Sequence, residues 1–332
     1  MEWLVKNWFV QLLVCLLLLV FTIESSRAAT ESTFPPAADQ PPAVDTQELI
    51  KTEDHWKLDQ KDAAKTNPEN TVSAASAQNA STEQKEFFTR QQKVALLNVG
   101  SWAVIMAYGM AEWDYNQTGL HFKNEGWFGK DTSYGGSDKL GHAWSAYALS
   151  HLFSYLYRHW QYTDKEAHLY GALSSLGVNT FMEIADGFSP SQGFSYEDMM
   201  MNLLGSGMGY LLGAYPELGR KIDFRLEITP KFDHQDLKIG TNYDRHVYLV
   251  AIKADGFDFI ENPYLKYLEL HLGYGASDYA HYKEGQHDNR NRHIYAGIGF
   301  NVSKLLQKYV KTTVLDYIQI PYTSLRHDFQ LD

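Results

Sequence analysis

The sequence predicts an α+β fold, in which a bundle of about four largely uncharged helices is followed by an antiparallel β-sheet. Four apolar runs contain no Asp, Glu, Lys or Arg, namely residues 94–111, 140–157, 167–182 and 199–216. From Asp223 onward, apolar and polar residues alternate with a period of two, which is typical of strands. Polar segments that contain Gly or Asn separate these strands, as in antiparallel sheets joined by loops.

The N-terminal segment has the features of a secretory signal peptide. Lys6 provides the positive charge, residues 8–23 are free of charge, and residues 26–28 (Ser-Arg-Ala) fit the small-x-small cleavage rule. We expect cleavage after Ala28 and a location in the periplasm or the outer membrane. The alternative is an uncleaved anchor helix, but the apolar run is shorter than the roughly 20 residues that span a bilayer.

The predicted organisation therefore has four parts. They are a signal peptide (1–28), a disordered linker (29–82), a helical domain (83–221) and an antiparallel β-rich segment (222–332). The linker is rich in Ala, Pro, Ser and Thr and cannot bury enough apolar surface to offset the entropy of ordering. A short local helix at residues 47–61 is the only element expected within it.

Composition excludes several classes of function. The one cysteine, Cys15, lies in the predicted signal peptide, so the processed chain would have no disulfide, thiolate metal site or cysteine nucleophile. Val14 precedes Cys15 where a lipoprotein signal has a small residue, so lipid attachment is not expected. The net charge of −11 argues against nucleic-acid binding, which needs basic patches.

The ends of the predicted elements carry local signals. Ser137 and Asp164 are candidate caps of the second and third helices, and Ser195 with Asp198 matches a capping box. A Gly- and aromatic-rich loop, residues 115–136, joins helices one and two, and loops of this length are usually functional or mobile. A short helix is expected at residues 303–311.

Five or six strands are expected after residue 222. They are centred on 224–228, 246–253, 268–274, 294–302 and 315–320. Since a membrane β-barrel in one chain needs at least about eight strands, a sheet packed on the helices is favoured over part of such a barrel. The uncharged helices suit either a compact bundle or short membrane-embedded helices; their small and polar residues favour the bundle, with membrane association as the alternative.

Polar residues near three predicted helix ends should meet in space. Asp138 and His142 are four apart and share a face of helix two. Glu183 and Asp186 end the polar seam of helix three, and a tight turn (187–194) would bring them close to Asp198, where helix four begins. The expected cluster consists of Asp138, Lys139, His142, Glu183, Asp186, Asp198 and Asn202. Gly205, Gly209 and Gly213 continue the seam of helix four and permit close helix packing.

This cluster permits two kinds of chemistry. Oxygen and nitrogen ligands can hold a divalent metal, and the candidate ligands are Asp138, His142, Glu183, Asp186 and Asp198. The candidate catalytic residues are Glu183 or Asp186 as general base, assisted by His142 or by the metal. The structural alternatives are a helix cap for Asp198, a dipole partner for Asp138 and an ion pair between Lys139 and Glu183.

The series Asp138-Lys139-x-x-His142, Glu183-x-x-Asp186 and Ser195-x-x-Asp198-x-x-x-Asn202 resembles the uncharacterised YfiM-like family of predicted periplasmic lipoproteins. More distantly, it is similar to the VanZ-like membrane proteins. The resemblance covers residues 137–216 and implies an envelope location but no known reaction. VanZ-like proteins usually have Gln and Arg where this chain has Asp186 and Gly193.

Two functional hypotheses follow. The first is a non-enzymatic envelope protein, in which the polar cluster has a structural or binding role. The second is a hydrolase-type enzyme, with or without a metal, that acts on an envelope lipid or glycan. The expected partners are an envelope lipid, a glycan or an outer-membrane protein. The two hypotheses differ in accessibility, because an enzyme needs the cluster to open into a cleft.

The signal features predict that the exported protein begins near Ala29. Its N-terminal peptide, read by mass spectrometry from the envelope fraction, should start at or within a few residues of this position. An intact N-terminus on the envelope protein would contradict cleavage.

Overall fold

The computed structural model describes residues 87–229, 243–280, 282, 287–307, 309 and 313–332. The predicted signal peptide, the linker and the local helix at 47–61 lie outside the described residues. The described helices and strands belong to one compact unit, Arg90–Asp332. The α+β prediction is confirmed, since a bundle of several helices precedes a sheet.

Four long helices correspond to the four uncharged runs. They are α1 (Arg90–Glu112), α2 (Ser137–His159), α3 (Asp164–Asp186) and α4 (Tyr196–Ala214). A short helix, α5 (Pro216–Gly219), follows α4. Helices α2, α3 and α4 each begin a few residues before their uncharged run, because the first turn accepts acidic side chains that interact favourably with the helix dipole.

Two of the predicted caps are wrong by one residue. Gly136 caps α2 in a left-handed conformation, so Ser137 is the first helical residue. Thr163, rather than Asp164, caps α3: its hydroxyl accepts from the Glu166 amide at 3.4 Å, and Glu166 accepts from the Thr163 amide at 3.0 Å. This reciprocal pair of Thr163 and Glu166 is a capping box.

The cap of α4 is confirmed in part. The Ser195 hydroxyl accepts a hydrogen bond from the Asp198 amide at 3.2 Å, as predicted. The Asp198 carboxylate does not complete the capping box. It turns inward and lies 2.8 Å from Lys139 Nζ.

Helix α4 packs on α2 through Gly205 and Gly209. A Cβ atom at Gly205 would overlap the backbone carbonyl of Ala143, and one at Gly209 would lie 2.6 Å from the hydroxyl of Ser150. Close approach of the two backbones is therefore possible only with glycine at these positions. This contact places the N-terminal turn of α4 beside the N-terminal turn of α2.

Helix α1 differs from the other helices in its exposure. Among the described residues it is the helix long and apolar enough, by length and composition, to cross a membrane. Only 17% of its most apolar window is buried within the protein. Its contacts with the bundle include Trp102, which stacks on Phe181 of α3 with ring centroids 5.3 Å apart.

The described strands form one six-stranded sheet. They are β1 (Ile222–Ile228), β2 (His246–Lys253), β3 (Leu268–Ser277), β4 (Asn291–Phe300), β5 (Ile318–Gln319) and β6 (Ser324–Gln330). Their order is β5-β1-β2-β3-β4-β6. The β1–β5 pair is parallel and the other pairs are antiparallel, which corrects the prediction of a purely antiparallel sheet.

Three details of the strand predictions are wrong. Strand β4 ends at Phe300, and Val302 opens the short helix α6 (Val302–Leu306), which is shorter than the helix predicted there. The strand expected at 315–320 is reduced to β5, because the preceding residues form a 3-10 turn, Val314–Asp316. Strand β6 was not predicted, since its Arg, His and Asp residues obscure the alternation.

The sheet is open but strongly curled. Its inward face carries charged residues: Arg225 is almost fully buried, donates to both carboxylate oxygens of Glu269 at 2.8 and 2.9 Å, and contacts Asp223. Arg326 on β6 donates to Glu227 on β1 at 2.8 Å, although three strands separate them in the sheet. The two sides of the sheet therefore approach each other across this polar interior.

The outward face of β1 and β2 packs on the helical bundle. Phe224, Leu226 and Tyr248 form one apolar core with Trp144 and Tyr147 of α2. The indole of Trp144 also donates to the carbonyl of Tyr317 at 3.1 Å. Helix α2 is thus held between the sheet on one side and α3 and α4 on the other.

The close approach of α2 and α4 can be tested with two alanine substitutions in the same helix. Gly205→Ala should lower the free energy of unfolding by about 1–3 kcal/mol or more, because the new methyl group meets the Ala143 backbone. Gly207→Ala has open space and should raise it by up to about 1 kcal/mol. Urea denaturation measures both; equal effects of the two substitutions would contradict the packing.

Candidate cation site in the helical bundle

A sharp turn places the first residues of α2 in the protein interior. Tyr134, Gly135 and Gly136 all have positive φ angles, of 44°, 59° and 85°. A Cβ atom at Gly136 would lie 2.6 Å from the Trp127 carbonyl oxygen, so glycine is required by both the space and the backbone conformation. As a consequence Asp138 and Lys139 begin the helix in a buried position.

Lys139 lies at the centre of three carboxylates. Its Nζ atom is 2.5 Å from Glu125, 3.0 Å from Asp138 and 2.8 Å from Asp198, and its side chain is fully buried. Burial acts to lower the pKa of Lys139, but Asp138 and Asp198 more than offset this and raise it above its ordinary value. The ammonium group therefore remains charged at neutral pH.

His142, one turn further along α2, joins the two following helices. Its Nδ1 atom is 3.3 Å from Glu183 Oε1 on α3, and its Nε2 atom is 3.8 Å from Asp198 Oδ1 on α4. Asn202 on α4 donates to Glu183 at 3.4 Å. One ligand atom from each of His142, Glu183 and Asp198 lies within 4.8 Å of the other two.

Two groups of potential ligands share Asp198. The first is His142, Glu183 and Asp198, and the second is Glu125, Asp138 and Asp198. Because the Lys139 ammonium contacts every member of the second group, the carboxylates of that group already have a cationic partner. The first group, hereafter the His142 group, is the candidate for a metal ion.

Several buried side-chain oxygen atoms lack a hydrogen-bond partner among the described residues. They include Oδ1 of Asp138 and Oδ1 of Asn202, and Asn202 is fully buried. Leaving a buried polar atom unpaired costs about 1–3 kcal/mol, so such atoms usually mark a bound water or ion. Both belong to side chains that contact the cluster.

The carboxyl group of Glu183, next to His142, is hard to ionise. Burial raises the pKa of Glu183 to about 8; His142 opposes this, and Asp198 and Asp186 add to it. Burial lowers the pKa of His142, but the nearby Asp198 and Glu183 carboxylates raise it overall. The imidazole and the carboxyl group therefore compete with each other for protons near neutral pH.

Asp186 lies in a separate environment. Its carboxylate accepts a 2.5 Å hydrogen bond from the Tyr115 hydroxyl, and it is part of neither ligand group. Burial raises the pKa of Asp186 to about 6, while the Tyr115 hydroxyl acts in the opposite direction. The role of Asp186 as a metal ligand therefore stays a prediction.

The structure brings most of the predicted cluster into contact and adds two residues. Asp138, Lys139, His142, Glu183, Asp198 and Asn202 are joined by the contacts above, and Glu183 pairs with His142 rather than with Lys139. Glu125 and Tyr115 were missed. Both belong to the 115–136 loop, whose length was the available signal, but no periodicity indicates which of its side chains turn inward.

The side chains of the cluster are largely buried. Those of Lys139, Glu183, Asp198 and Glu125 are 0, 1, 6 and 10% exposed, and that of His142 is 16% exposed. By the accessibility criterion, this burial favours a structural or binding role over a hydrolase.

Because the Asp198 carboxylate turns inward, the substitution Asp198→Asn is expected to cost more stability than the loss of a helix cap. A cap residue would cost about 0.5–2 kcal/mol, whereas removing one partner of a buried ion pair costs about 3–5 kcal/mol. Since Asp198 contacts Lys139, we expect Asp198→Asn to fall in the higher range. Asp164→Asn, in the exposed first turn of α3, is the control and should cost about 0.5 kcal/mol or less. Urea denaturation at pH 7 measures both, and similar losses would argue against the ion pair.

The raised pKa of Glu183 predicts a pH dependence of stability. The folded pKa of about 8 lies above the ordinary value of 4.5, so the folded state holds a proton that the unfolded state releases between these values. The Tm measured in chelator should therefore fall as the pH rises from 5 to 8.5. Glu183→Gln should make this slope shallower, and an unchanged slope would contradict the assignment.

The comparisons with known proteins concern this part of the chain. No curated protein and no solved structure matches the chain. The residues of both ligand groups lie within the matched segment of a family model, which begins at the loop before α2 and ends with α4. The match supports an envelope location, whereas the similarity to VanZ-like proteins stays a prediction. Residues 124–214 match the family described as "Predicted periplasmic lipoprotein (DUF2279)".

Proposed function

We propose that this envelope protein is a non-enzymatic binding protein, whose helical module holds a divalent cation between His142, Glu183 and Asp198. The observation that carries the proposal is the convergence of three potential ligand atoms, from three different helices, within 4.8 Å of one another. Such a cation would join α2, α3 and α4 at one point. Its role would be to stabilise the bundle and the loop packed on it.

The charge of the site supports a cation. Glu183 and Asp198 are both buried, and at neutral pH the Lys139 ammonium contacts only Asp198 of the two. A divalent ion would balance one charge on each carboxylate, with His142 as a neutral ligand. Glu183 would then lose the proton that it holds in the absence of metal, and binding would release protons.

The polar surroundings support the same proposal. Asn202 already orients Glu183 through its amide nitrogen, and its own Oδ1 atom has no hydrogen-bond partner among the described residues. Groups that orient a ligand carboxylate in this way are typical of protein metal sites. One imidazole and two carboxylates suit Zn²⁺ or Mn²⁺ better than Ca²⁺, which prefers oxygen ligands throughout.

The remaining parts of the proposal concern location. We infer export by a cleaved signal peptide and a final position in the periplasm or at the outer membrane. The matched family description and the signal features of residues 1–28 support this inference. No observation in the described residues favours the hydrolase alternative, because the carboxylates that would act as general base are buried.

Metal titration of the purified protein tests the proposal. With chelator removed, Zn²⁺ or Mn²⁺ at 100 times the dissociation constant should stabilise the protein by about 2.7 kcal/mol, seen as a rise in Tm. His142→Ala and Glu183→Gln should abolish this rise. Asp186→Asn, outside the ligand group, is the matched control and should retain it.

Elemental analysis and calorimetry provide the second measurement. We expect close to one bound ion per chain in the wild type and in Asp186→Asn. If neither metal raises the Tm of the wild type, or if His142→Ala responds as strongly as the wild type, the cluster is a sealed ion network with a purely structural role.

A further inference from the structure

The outward face of three strands is largely uncovered among the described residues. On β1 and β2 this face packs on α2, whereas on β3, β4 and β6 most large apolar side chains are exposed, and Tyr274 at the end of β3 contacts Gly135 and Phe128. Its large apolar side chains are between 42 and 85% exposed; they are Leu270, Leu272, Ile294, Ile298, Phe300, Leu325 and Phe329. We call this surface the β3–β4–β6 face.

The polarity of these strands is inverted relative to a water-soluble sheet. On β3 the inward residues Glu269 and His271 are buried and hydrogen-bonded to each other at 3.1 Å, while the outward Leu270 and Leu272 are exposed. A sheet in water buries its apolar face and exposes its polar face. A polar interior with an apolar exterior is instead the arrangement of strands that face lipid.

The apolar band has the dimensions and borders of a lipid-facing surface. From Ile294 to Phe300 along β4 it is about 20 Å high, at 3.3–3.4 Å per residue, close to the roughly 25 Å of membrane strands. Exposed aromatic residues lie in the segments that adjoin these strands at the Leu268 end, namely Phe259, Tyr264, Tyr309 and Tyr322. Arg292 and Asp332 form an ion pair of 2.6 Å at the other end. Aromatic rims are typical of the interface between lipid and water.

Lipid fits this face better than a second protein does. A protein partner would need free polar groups on this face, because protein interfaces carry about one hydrogen bond per 100–200 Å². On this face the Tyr274 hydroxyl already donates to Gly135 at 2.5 Å, and the His327 ring packs on Phe329 with centroids 4.5 Å apart. Strand β6 is an edge strand, and its Arg326 side chain donates across the polar interior to Glu227 on β1.

We propose that the β3–β4–β6 face inserts into the hydrocarbon layer of a lipid bilayer. This goes beyond the proposed cation site and does not depend on it. The sheet module would hold the protein at the membrane while the helical module packs on the opposite half of the same outward face.

Flotation of the full chain with neutral phosphatidylcholine vesicles tests this proposal. Leu272→Lys combined with Leu325→Lys places two charges on the face at exposed positions of strands that are not neighbours. We expect the partition coefficient to fall by about 100-fold or more, since a lysine facing lipid is strongly disfavoured. The control, Thr313→Lys with Gln330→Lys, adds the same charge at exposed positions off the face and should partition like the wild type. Equal flotation of both double variants would overturn the proposal.

A local probe keeps the proposal testable if the double lysine variant fails to fold. An environment-sensitive fluorophore attached at Leu325→Cys, in a chain with Cys15→Ser, should shift to the blue when vesicles are added, whereas the same label at Gln330→Cys should not. A blue shift of the Leu325 label without vesicles would overturn the proposal. If that shift depends on protein concentration, the face is covered by a second copy of the chain, and if it does not, by another segment of the same chain.

Discussion

The buried ammonium group of Lys139 is the interaction on which the helical module depends. It joins a loop, the start of α2 and the start of α4 through Glu125, Asp138 and Asp198. Two charges of opposite sign in a protein interior are stable only when each is compensated by the other and by hydrogen bonds. These contacts therefore fix the positions of the three segments relative to one another. They also fix the position of His142, which lies one turn away on α2.

The helical module and the sheet each contain a buried network of charged residues. Both enclose a basic residue that is fully or almost fully buried and surrounded by acidic partners: Lys139 in the bundle, and Arg225 with Asp223 and Glu269 in the sheet. Such networks add specificity more readily than stability, because only one arrangement satisfies all the charges. The His142 group differs from both in that none of its three members is a Lys or an Arg, and this difference distinguishes a candidate binding site from a closed network.

Sequence patterns predict the elements of this protein better than their connections. The four uncharged runs and the alternation after Asp223 predicted the helices and most strands, because burial imposes a period that is visible in the chain. The helical seams also predicted that Asp138, Glu183 and Asp198 would meet. The inward turns of Glu125 and Tyr115 depend on a loop conformation, which has no period. Strand β6 was not predicted because its inward residues include the charged Arg326 and Asp328, and because most of its residues are exposed, so that burial imposes no clear period on it.

The contact between Glu227 and Arg326 has a consequence for how the chain acquires its structure. Its two residues are 99 positions apart, and Glu227 is buried. Contacts of such large sequence separation form late, because a long loop must close before they stabilise anything. A folding chain would therefore keep an unpaired interior carboxylate until strand β6 had joined the sheet. Strand β6 would then complete the packing of the interior, and a chain that lacked it would stay loosely packed and open to proteolysis.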